Sequence, residues 1–116
     1  MRYLIPTKLV GVSFENPDGT KRQELIKNLK ENETLTIEHE LDNKYDANSH
    51  IIKNENGDTL GHLSKSLAED IVNKVSNGEK ILCIRDWKVT GLDKHTLGMN
   101  VCIELEKPDN VIKNET

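Results

Sequence analysis

Apolar and polar residues alternate most cleanly near the end of the chain, where Met99, Val101, Ile103 and Leu105 share one face of the run Gly98 to Leu105. Side chains of a strand point to opposite faces in turn, so this period of two predicts a strand with one buried side. Thr34 to Leu41 has the same rhythm, with Leu35, Ile37, His39 and Leu41 on its apolar face. Lys80 to Thr90 is rich in Ile and Val and predicts a longer strand that carries Trp87 into the core. Ser49 to Asn54 and Thr59 to Leu63 flank Asn54-Glu55-Asn56-Gly57-Asp58, a hairpin turn with Asn-Gly at its centre. Lys8-Leu9-Val10-Gly11-Val12-Ser13-Phe14 reads as the first strand, its interior Gly11 marking a bulge or a close backbone approach.

Two segments switch to helical spacing. After the turn Asn16-Pro17-Asp18-Gly19, Thr20 to Gln23 fits a capping box, with Thr20 as N-cap and Leu25, Ile26 and Leu29 as the apolar stripe. Ser64 or Ser66 caps a second helix whose buried stripe is Leu67, Ala68, Ile71, Val72 and Val75, and Asn77-Gly78 ends it. The order is β-α-β-β-β-α-β-β. Such a chain is mainly β, of the α+β class, and predicts a six-stranded OB-like or SH3-like curved sheet or small barrel with two helices. One domain over residues 1–106 is expected, followed by a frayed tail over 107–116.

Composition narrows the function classes. At 116 residues one core is expected. The formal net charge of -4 does not attract polyanions as a whole, so any nucleic-acid role rests on a local patch or on directional contacts. Lys21, Arg22, Lys65, Arg85, Lys88 and Lys94 form either a basic rim or an ordinary solvated face, and the second is the simpler reading. Cys83 and Cys102 lie in apolar runs that suit buried reduced thiols, and no zinc-type spacing is present. His39 reads as a core or edge histidine, and His50 and His95 as solvated ones. No cofactor or metal is expected, and no catalytic motif appears, so the chain reads as a non-enzyme. Pro6 cuts short the apolar N-terminus and no run is long enough to span a bilayer, so a soluble cytoplasmic protein with no membrane partner is expected.

The chemistry concentrates in Asp42-Asn43-Lys44-Tyr45-Asp46-Ala47-Asn48. Only four Phe, Tyr and Trp side chains exist in the chain, and one of them, Tyr45, sits in this polar loop. A flat ring beside a carboxylate and amides offers stacking and directional hydrogen bonds to a ligand. Asn and Asp also bond their own backbone, so turn chemistry explains the same residues. Asp46 can likewise serve as a turn cap. His62, in Gly61-His62-Leu63, ends a strand where it can meet a phosphate or pack against the helix that follows.

Val10-Gly11-Val12 with Phe14, then Asn43-Lys44-Tyr45-Asp46-Ala47-Asn48, then Gly61-His62-Leu63 and Leu67-Ala68, resemble in order and spacing the HIRAN domain family. The resemblance runs from about Leu9 to Leu105 and suggests a member of the standalone bacterial or phage type. It implies an OB-like barrel with a groove, and binding of single-stranded DNA at its 3′-hydroxyl end in DNA repair or replication. By the same resemblance, Phe14 and Tyr45 stack on bases, Asp46 accepts from the terminal hydroxyl, and Asn48 shapes the pocket. His62 and Lys65 approach phosphates. A protein partner such as a helicase or nuclease is implied as well. Lys44 stands where many members carry Pro, and Ser49 where they carry Ala. Ser13 stands where the DNA-binding members carry Arg, and His95 about where they carry Phe. The alternative is a protein-interaction or adaptor domain of the same fold that has lost DNA binding.

Overall fold

The computed structural model describes residues 1–109. Its elements are β1 (Arg2–Lys8), α1 (Arg22–Lys27), β2 (Thr36–His39), β3 (His50–Lys53), β4 (Thr59–His62), α2 (Lys65–Ser76), β5 (Lys80–Thr90) and β6 (Gly98–Glu106). The strands form two antiparallel sheets of three, in the orders β1-β6-β5 and β2-β3-β4. The element order agrees with the sequence pattern. The single curved sheet or barrel does not: β2 and β5 approach each other without pairing, and the described strands close no barrel.

The first strand lies earlier than its composition indicated. β1 ends at Lys8, which pairs with Asn100, and of residues 9–14 only Val10 makes a β-bridge, to His62. Gly11, at φ 70°, then turns the chain away from the sheet. Pro6 is tolerated in β1 because β1 is an edge strand, bonded on one side only to β6.

The capping box is also absent. Lys21 is the N-cap of α1 and makes no side-chain cap. The Thr20 hydroxyl and amide both donate to Asp18 Oδ1, and Gln23 Nε2 instead donates to the carbonyls of Val12 and Leu97. Ser64 does cap α2, its hydroxyl accepting from Leu67 N–H at 3.3 Å.

Both sheets and both helices meet in one core that includes Ile26, Ile52, Leu60, Ile71, Met99 and Ile103. β6 is central, and its inward face buries Met99, Val101, Ile103 and Leu105. Trp87 packs against this core and donates its indole N–H to Glu33 O at 2.8 Å. Several expectations of burial are reversed. Leu41 and Val75 are exposed, Cys83 is exposed rather than buried, and His50 is 3% exposed rather than solvated. Strand β3 is the middle of its sheet, which is why His50 is covered.

Lys107 N–H donates to Met1 O and so ties the start of the expected tail to the N-terminus. Residues 110–116 of that tail lie outside the described residues.

Candidate nucleic-acid interface

Two segments far apart in the chain meet at β4. Val10 and His62 exchange backbone bonds, 2.9 Å each way. This pairing brings the Phe14 turn against β4, and it requires Gly61: a Cβ there would lie 3.0 Å from Val10 O and 3.2 Å from Leu9 Cβ. The Gly-His-Leu motif thus places a glycine where backbone must approach backbone.

Phe14 is 60% exposed, with Arg22 Cζ 5.6 Å from its ring centroid. Such a contact is in cation–π range. Arg22, assigned by pattern to a solvated face, is instead buried at 7% exposure. Its Nε donates to Asn16 Oδ1 at 2.8 Å, and its NH1 donates to Gly11 O at 3.0 Å. NH1 also meets His62 Nδ1 at 3.1 Å. A guanidinium can only donate, so His62 Nδ1 is the acceptor and its proton sits on Nε2. That nitrogen faces Glu40 Oε1 at 3.4 Å. Burial pulls the His62 pKa below 6.5, Arg22 adds to the shift, and Glu40 opposes it. Both ring nitrogens are therefore engaged within the protein.

Glu40 passes the network on to the Tyr45 loop. Its Oε1 also accepts from Ser49 Oγ at 2.6 Å and from Asn43 Nδ2 at 3.1 Å. Burial raises the Glu40 pKa, but the bonds from Ser49, Asn43 and His62 outweigh it and the net shift is downward. Asn43 Oδ1 in turn accepts from the N–H groups of Tyr45 and Asp46, at 2.8 and 2.9 Å. Asp46 Oδ1 accepts from Asn48 N–H at 3.0 Å. Asx turns therefore build this loop, and the same turns present Tyr45 to solvent at 96% exposure. Turn chemistry and an outward-facing ring coexist in it.

A second support lies beneath the loop. His39 Nε2 donates to Ala47 O and His50 Nδ1 to Asn48 O, each at 2.7 Å. The two rings stack with centroids 4.5 Å apart and planes 8° apart. Lys65 begins α2, three residues after His62, and is exposed.

Of the six residues singled out by sequence, Tyr45, Asp46 and Asn48 share this loop, and the Arg22–His62–Glu40–Asn43 chain connects it to Phe14. Among the described residues the Lys65 side chain makes no ion pair with that chain. Sequence reasoning missed Arg22 and Glu40, and nothing in a polar run distinguishes Arg22 from its neighbour Lys21. Among the described residues no cluster suited to a metal ion occurs, and no helix is long and apolar enough to cross a membrane.

No curated protein and no solved structure matches the chain. The family model of the HIRAN domain, a nucleic-acid-binding module that is not catalytic by itself, matches residues 5–106. That match covers nearly the whole chain, and the protein belongs to the HIRAN domain family.

Proposed function

We propose that this domain captures single-stranded DNA at its 3′-hydroxyl end. The observation that carries the reading is the exposed pair of rings, Phe14 and Tyr45, joined by one part-buried chain of polar contacts that starts from Arg22 beside the Phe14 ring. Bases stack on such rings with little regard to sequence, each contributing about 1–3 kcal/mol. Asp46 follows Tyr45 with Oδ1 bonded to Asn48 N–H, and its second oxygen is the acceptor for a terminal hydroxyl. A carboxylate accepts from a hydroxyl and repels a phosphate, so this residue selects a free end. Asn48 fixes the carboxylate, and Lys65 and the His62 corner border the path of the phosphates. The family resemblance supports an accessory role in DNA repair or replication, beside a helicase or nuclease.

The acidic balance of the whole chain favours a second reading, a protein-interaction domain of the same fold. Fluorescence anisotropy at low salt separates the two. Oligonucleotides ending in a 3′-hydroxyl should bind more tightly than those ending in a 3′-phosphate, and added salt should weaken both. Absence of binding to either would overturn the DNA reading and leave the adaptor.

A further inference from the structure

We infer that the NH2 end of Arg22 is a phosphate-binding group of this interface, and that His62 positions it rather than holding phosphate itself. The inference rests on the DNA-binding reading above and names a contact within it. A guanidinium carries five N–H donors. Asn16, Gly11 and His62 engage Nε and NH1. Among the described residues NH2 makes no hydrogen bond, and no carboxylate pairs with the guanidinium.

A buried cation without a close counter-ion is costly, and an arginine does not relieve that cost by losing its proton. Burial works against its charge, and Glu40, on the far side of His62, only partly offsets this. The side chain is nevertheless fixed from three directions, which aims its remaining donors. It lies against Phe14, so a nucleotide stacked on that ring brings its own phosphate close to them. Two parallel N–H groups suit two phosphate oxygens. His62 has no free ring nitrogen for such a contact, whereas its Nδ1 holds NH1 in place.

The test is a cycle between protein and DNA. Neutral methylphosphonate linkages are placed one at a time near the 3′ end of a short single strand, and binding of wild type, Arg22→Gln, His62→Gln and Lys65→Gln is compared, with thermal melting to confirm folding. One linkage should weaken wild-type binding by roughly tenfold or more, as loss of a charged hydrogen bond does. The same linkage should cost Arg22→Gln nothing, and the log–log salt slope of that variant should be shallower by about 0.7.

A folded Arg22→Gln protein that keeps the linkage sensitivity and the slope overturns the inference. So does sensitivity that vanishes in His62→Gln or Lys65→Gln instead. If Arg22→Gln does not fold, Arg22→Lys carries the same cycle. It keeps the charge but lacks the fork, so undiminished sensitivity rejects the contact. Wild type that binds single strands with no linkage effect rejects this inference alone. Wild type that binds no single strand rejects the proposed function and the inference with it.

Discussion

His62 Nδ1 stands 3.1 Å from Arg22 NH1, and this contact fixes the proton of the histidine on the opposite nitrogen, toward Glu40. The ring is thereby a connector between the Phe14 turn and the Tyr45 loop. Replacing it with Ala should leave Arg22 and Glu40 each short of a partner. Unmade bonds to buried groups cost about 1–3 kcal/mol. Chemical denaturation of His62→Ala should show a loss in that range, and a loss near zero would mean the connector carries no stability.

Stability should fall as pH falls below 6.5. Two histidines have folded pKa values lowered from 6.5, His62 as described and His50 chiefly by burial. The bond to Asn48 O opposes the His50 shift, and neighbouring His39 adds to it. Between the folded and unfolded values the unfolded chain binds more protons, so stability rises with pH through that window. The contribution is complete above 6.5 and is lost on acidification. Glu40, lowered from 4.5, adds a second loss below that value. Thermal melts at about pH 7.5 and about pH 5.5 should differ in this direction, and His50→Gln should flatten the dependence. A melting temperature that rises on acidification would contradict the assignment of both rings as neutral.

How much was legible in the chain depended on where each element gets its bonds. β6 is read correctly because a central strand with one buried face must alternate, and it does. The hairpin is read correctly because Asn54 N–H and Asp58 O close it locally. β1 was missed because its pairing lies nearly a hundred residues away, and its Leu4 and Pro6 face outward. Leu9 to Phe14 has strand-like residues, yet only Val10 forms a β-bridge. Within the site, the loop residues announced themselves by type. Arg22 did not, because its burial is made by Asn16, Gly11 and His62 together, which no local pattern encodes.

Gly61→Ala should destabilise the domain without touching any ligand-facing side chain. The added methyl would lie 3.0 Å from Val10 O and 3.2 Å from Val12 Cγ1, and backbone must move to admit it. Overpacking of this kind costs about 1–3 kcal/mol. The denaturation midpoint of the variant should drop accordingly. Because the Val10–His62 pairing carries the Phe14 turn, affinity for single strands should drop as well. Unchanged stability would show that the close approach is relaxed in solution.

Asp46→Asn should erode the preference for a hydroxyl end and leave the fold in place. An amide oxygen can still accept from Asn48 N–H, so the turn survives. What is lost is the negative charge, and with it both the stronger acceptance from a hydroxyl and the repulsion of a terminal phosphate. A hydrogen bond to a charged group contributes roughly 1.5–3 kcal/mol, so discrimination should fall by about tenfold or more. Anisotropy with 3′-hydroxyl and 3′-phosphate strands reads this directly, with Phe14→Ala as the contrasting variant. Loss of the exposed ring should weaken both strands by about 1–3 kcal/mol while their ratio stays fixed. If Asp46→Asn instead weakens both ends equally, the carboxylate shapes the loop and does not read the end.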